Sequence, residues 1–114
     1  MQKGLNKVML IGWVDADPEL RHTPTGRLVA SFSLATARSW VSSEGKQYDE
    51  TEWFNIVAWG GLAELCDKRL EKDHQVYVEG RLQTRRWEDA NGRIHFRTEV
   101  VAHELIVLTD TDEF

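Results

Sequence analysis

Apolar residues crowd positions 5–14, LNKVMLIGWV, and DADP closes the run. A short apolar stretch rich in β-branched and aliphatic side chains, ended by a turn signal, predicts a buried strand. After the turn signal Thr23-Pro24-Thr25-Gly26, Leu28, Ala30, Phe32 and Leu34 recur at every second position. Period two is that of a strand with one face in a core, so RLVASFSLATARSW is a second strand. Polar residues 42–50 break the alternation and predict a loop, after which TEWFNIVAW resumes it as a third strand.

Gly60-Gly61 ends that strand, and the period then changes. Leu62, Leu65, Cys66 and Leu70 fall at helical spacing, with Glu64, Asp67, Lys68 and Glu71 on the other face, which predicts one short amphipathic helix. The last third holds two long strands, QVYVEGRLQTRRWEDA and RIHFRTEVVAHELIVL, around Asn91-Gly92, a strong hairpin signal. Five strands with a lone helix between the third and fourth match the all-β, five-stranded Greek-key OB barrel. That barrel serves binders of oligonucleotides and of oligosaccharides, so the fold leaves function open. The chain shows no internal repeat and no low-complexity tract, which gives one domain over residues 1–108 and a short acidic tail over 109–114.

Composition narrows the classes. A chain of 114 residues can bury a core without metals or disulfides, and its single cysteine, Cys66, supplies neither. No apolar stretch reaches the length of a membrane span, and the N-terminus lacks the pattern of a secretory signal, so a cytoplasmic place is expected. No nucleophile elbow, phosphate-binding glycine loop or metal-ligand spacing appears among the four histidines and Cys66. An enzyme and a cofactor are therefore not expected. The net charge of −5 argues against a nucleic-acid partner until its distribution is read. Acids gather in residues 44–52, 64–73 and 110–113, whereas Arg81, Arg85, Arg86, Arg93 and Arg97 share the last hairpin.

The five tryptophans change the picture most. In the third strand Trp53, Asn55, Val57 and Trp59 share one parity, and Phe54, Ile56 and Ala58 the other. An isolated tryptophan in a small β domain is more often core. Here, however, an inward Trp53 and Trp59 would put Phe54 and Ile56 in water and bury Asn55. Arg81, Arg85 and Trp87 share a parity in the fourth strand if no bulge intervenes, and Trp40 follows the second strand beside Arg38. Aromatic platforms interleaved with cations are what unpaired nucleic acid needs, because bases stack on the rings and phosphates meet Arg and Lys. For Trp13, core, subunit interface and a fifth platform stay open, with a structural place favoured. An OB module for protein contacts, such as a replication-restart accessory subunit, is the rival reading, and RNA as the ligand is not excluded.

These residues resemble the bacterial single-stranded DNA-binding proteins and their mitochondrial relatives. LNKVMLIG followed by DPELR, then ASFSLAT, TEWFNIVAWG with LAEL, QVYVEGRLQTRRWED and TEVVAHEL stand in that family's order. The resemblance implies an OB barrel, commonly a homotetramer, that wraps single-stranded DNA without sequence preference in replication, recombination and repair. It puts base-stacking aromatics at Trp40, Trp53, Trp59 and Trp87. Phosphate contacts fall on Lys7, Arg21, Lys72, Arg85 and Arg86, with Lys3 at an N-terminal basic position, beside Arg38 and Arg97 from the reading of the strands. Phe54-Asn55 departs from the family's usual His-Arg, Gly61 from a frequent Lys, and Asp73-His74 from Gly-Ser, which weakens the basic grip and unsettles the oligomer geometry. Bacterial relatives recruit replication and repair enzymes through an acidic tip ending in Phe. Asp110, Asp112, Glu113 and Phe114 resemble a shortened form of it, and an ordinary polar chain end accounts for them equally.

Overall fold

Alternating apolar residues fold inward in the computed structural model, which describes residues 2–109. The elements are β1 (Val8–Val14), β2 (Glu19–His22), β3 (Leu28–Val41), β4 (Gln47–Trp59), α1 (Gly61–Arg69), β5 (Gln75–Glu88) and β6 (Ile94–Val107). The sheet runs β1-β5-β6-β4-β3-β2, and β1 also pairs with β3 at Trp13↔Ala35 and Val14↔Leu34. That second pairing closes five strands into the expected barrel, with β4 and β6 joined in parallel at Ile56↔Val100 and Val57↔Val101. Val14, Leu34, Ile56, Val76, Val78 and Val100 fill it, and closure removes most of the open edges a flat sheet would carry.

Gly60, at φ 58°, turns the chain from β4 into α1, which lies against β3, β4 and β6 and buries Ala63 and Cys66. Burial pushes the Cys66 thiol up to about 11, which leaves it protonated near neutral pH and makes it a packing residue. No helix among the described residues is long and apolar enough to cross a membrane.

Three features depart from the sequence reading. Short β2, whose one apolar residue Leu20 packs against the core, pairs with β3 from Glu19↔Ser31 to His22↔Leu28 and adds a sixth strand outside the closed ring. Residues 47–50 are not loop: they pair in register with residues 38–41, so that β3 and β4 continue past the barrel as a two-sided ribbon. Its cross-strand pairs hold it: Trp40 stacks on Tyr48 at 5.4 Å, Ser39 Oγ donates to Asp49 Oδ1, and Arg38 Nε lies 3.8 Å from Glu50 Oε1. Trp40 is thus inside β3 rather than past its end.

The third departure is a bulge in the β5–β6 hairpin. Glu79 faces Glu104 and Gly80 faces Ala102, which leaves His103 as an extra residue on β6. Because the insertion is on β6, the alternation of β5 survives, and Arg81, Arg85 and Trp87 keep the shared parity read from the sequence. The acidic tail at Asp110, Asp112, Glu113 and Phe114 lies outside the described residues.

Candidate nucleic-acid interface

Register decides which side chains share the outside of the barrel. Across β3 and β4, Val29↔Trp59, Ser31↔Val57, Ser33↔Asn55 and Ala35↔Trp53 are directly opposed, so these pairs share a face. On β5 and β6 the same outer face carries Gln83↔Glu99, Arg85↔Arg97 and Trp87↔His95. Between them lies a groove of about 520 Å³, lined from β2 by Arg21, from β3 and β4 by Ser31, Asn55, Val57 and Trp59, and from β5 and β6 by Gln83, Arg85, Arg97 and Glu99. Phe54, Ile56 and Ala58 point the other way, into or against the core, as the parity argument requires.

The polar groups of the groove hold one another in place. Arg97 Nη2 donates to Asn55 Oδ1 at 2.6 Å, bridging β6 and β4. Glu99, buried to 7% exposure, lies 3.7 Å from Arg85 Nε. Among the described lining residues, Arg21, Arg85 and Arg97 are matched by Asp17, Glu19 and Glu99. With charges so balanced, stacking must carry much of any affinity for a polyanion.

The aromatic surfaces differ in what covers them. Trp53 is the barest of the tryptophans at 60% exposure. Trp87 stacks on His95 at 5.3 Å, with the Arg85 guanidinium 4.9 Å from its ring centre. His95 Nε2 in turn lies 2.7 Å from Asp89 Oδ2, while Asp89 Oδ1 accepts from the Asn91 and Arg93 amides and shapes the hairpin tip. The His95 contact foremost, and then the amides, hold the Asp89 carboxyl below its usual range. Trp59 has the Arg27 guanidinium 4.4 Å from its ring centre.

Not every expected residue joins this face. Trp40 and Arg38 have the opposite parity on β3 and occupy the other side of the ribbon from Trp53, with Arg38 4.3 Å from the Trp40 ring centre. Arg86 faces Phe96 on the reverse of the β5–β6 arm. Lys7 precedes β1 and pairs with Glu79 at 3.1 Å, a contact that holds the Glu79 carboxyl below its usual range. Lys3 is exposed ahead of β1, and Lys72 follows α1, its backbone amide donating to Asp17 Oδ1 at 2.8 Å. Trp13 is 45% exposed on the outer face of β1, away from the core. Sequence reasoning missed Arg27, Tyr48 and His95 as ring partners. Each is a neighbour across strands or a turn, visible only once register is known.

The single-strand binding protein family matches residues 5–108. The chain belongs to that family. It is 48% identical over 113 residues to single-stranded DNA-binding protein 1 of Chlorobaculum tepidum, covering 98% of this chain and 70% of the relative. It superposes on the Plasmodium falciparum SSB complex with ssDNA with a TM-score of 0.86 at 36% identity, covering 96% of this chain and 99% of the other. A deletion mutant of the Thermus aquaticus single-stranded DNA binding protein gives 0.82 at 31% identity, covering 97% of this chain and 54% of that one. The family match spans every strand of the barrel.

Proposed function

We propose that this chain binds single-stranded DNA without sequence preference, stacking bases on Trp53, Trp59 and Trp87 and meeting phosphates with Arg21, Arg85 and Arg97. The observation that carries the reading is the convergence of these six residues on one outer face from β2, β4, β5 and β6. A face that sets flat rings and guanidiniums along and beside one groove suits a flexible strand with unpaired bases, and a duplex hides the faces that would stack. Trp40 with Tyr48, and Arg38 and Arg86 on the reverse of the two arms, extend the surface for a strand that wraps from one side to the other. Lys3, Lys7 and Lys72 stand farther along such a path. Protection of exposed strands in replication, recombination and repair is the work this chemistry fits, and it calls for neither a cofactor nor a catalytic group. In a competition experiment, labelled oligo(dT) should stay bound in the presence of excess duplex and be displaced by unlabelled oligo(dT). Displacement by duplex would sink the reading.

The chain is a homo-oligomer in this account. On the outer face of β1, β5 and β6, Met9, Ile11 and Trp13 are exposed beside Tyr77 and Ile106, with Ile11↔Tyr77 and Tyr77↔Ile106 in register. A contiguous apolar patch away from the groove supports a self-complementary contact between copies, with the homotetramer as its family form. Ile11→Asp puts a charge in the middle of it. Light scattering after size exclusion should show the unaltered chain as an oligomer and the variant at lower mass. A monomeric unaltered chain would contradict the assignment.

A further inference from the structure

Three indole rings carry a guanidinium: Arg27 over Trp59 at 4.4 Å, Arg38 over Trp40 at 4.3 Å and Arg85 over Trp87 at 4.9 Å. Two of the three are also held by a carboxylate, Arg38 by Glu50 at 3.8 Å and Arg85 by Glu99 at 3.7 Å. Arg27 has no such partner among the described residues. Its backbone is nonetheless fixed, because its amide donates to Thr23 Oγ1 at 3.0 Å and its carbonyl accepts from the Thr23 amide at 2.8 Å. A side chain with an uncompensated charge therefore stands on a pinned turn, at the end of the groove where Trp59 and Arg21 lie.

We propose that Arg27 is a phosphate-binding residue of this interface, resting on Trp59 in the free protein and turning onto the nucleotide backbone when a base stacks there. The proposal rests on the single-stranded DNA reading given above. An exposed cation–π contact is a weak hold, and a charge-assisted hydrogen bond to a phosphate is stronger. An arriving base also competes for the same ring surface. Stacking at Trp59 thus frees the guanidinium at the moment a phosphate comes within its reach. Arg38 and Arg85 must leave a carboxylate to do the same, so Arg27 has the least to give up.

The test is the dependence of affinity on salt, measured with the full chain and oligo(dT). Each single-strand phosphate neutralised adds about 0.7 to the slope of log K against log salt. Arg27→Ala should therefore have a slope shallower by about 0.7, so that between 50 mM and 200 mM salt the unaltered chain loses about 2.6-fold more affinity than the variant. Arg27→Lys should keep the slope. If Arg27 only shields the Trp59 ring, Arg27→Ala changes affinity at an unchanged slope, and the proposal is overturned while the binding reading stands. If the unaltered chain shows no salt-dependent binding to oligo(dT), both fall together.

Discussion

Gly80→Val is expected to cost the fold about 3 kcal/mol, the upper end of ordinary overpacking. Gly80 is buried in β5 where β1, β5 and β6 lie side by side, paired with Val8 on one edge and Ala102 on the other. A Cβ at this position would run into the Val101 carbonyl and stand 3.1 Å from the Ala102 Cα. Both obstacles are backbone, already displaced by the bulge at His103, and neighbouring strands hold them from behind. Gly61→Ala is the control: nothing lies within 4 Å of its added Cβ. Its effect should stay within about 0.5 kcal/mol. Urea denaturation followed by far-ultraviolet circular dichroism distinguishes the two, and an unchanged midpoint for Gly80→Val would show that the barrel yields at this crossing.

The second large effect falls on binding instead of stability. Trp53→Ala should weaken affinity for oligo(dT) by about 5- to 150-fold, the range of one lost base-stacking platform, with little change in salt slope. Trp53 is 60% exposed and no partner ring or cation covers it among the described residues, so its removal opens no cavity in the core. Equilibrium titration at fixed salt gives the affinity, and a denaturation curve on the same sample confirms that the fold is intact. Undiminished affinity would remove Trp53 from the interface and leave Trp59 and Trp87 as its aromatic surfaces.

Which parts of this architecture the chain announces depends on burial. The period of two through Leu28, Ala30, Phe32 and Leu34, the opposed parities of Trp53 and Phe54, and the helical spacing of Leu62, Leu65 and Cys66 all record a core on one side. Those elements stand where the pattern puts them. Residues 47–50 have no buried side, and β2 offers one half-buried residue, Leu20, too little for a period to show. Glu19↔Ser31 and Asp49↔Ser39 are held by backbone pairing and cross-strand contacts, and a polar stretch read alone resembles a loop. The bulge at His103 is equally silent, because two consecutive exposed residues, His103 and Glu104, break the alternation without naming the strand they face.

The site divides in the same way. Parity alone brought Trp53, Trp59, Arg85 and Trp87 outward. Trp40, inside β3, has the parity of Leu28, Ala30, Phe32 and Leu34 and so lies on the reverse of the ribbon; the sequence reading sets it past the end of its strand, where parity says nothing. Nor does spacing along the chain reveal that Arg27 covers Trp59 or that His95 stacks on Trp87, because both contacts cross from one segment to another. Lys7 likewise has a partner that spacing does not reveal. A basic position carried over from relatives meets, in this chain, a carboxylate at 3.1 Å.

The most direct test of the central claim is tryptophan fluorescence during titration with oligo(dT), repeated at several salt concentrations and beside a duplex of equal length. Stacking on exposed indoles predicts strong quenching that saturates with the single strand, weakens as salt rises and is absent with the duplex. Unquenched fluorescence at saturating oligo(dT), or equal quenching by the duplex, would contradict it.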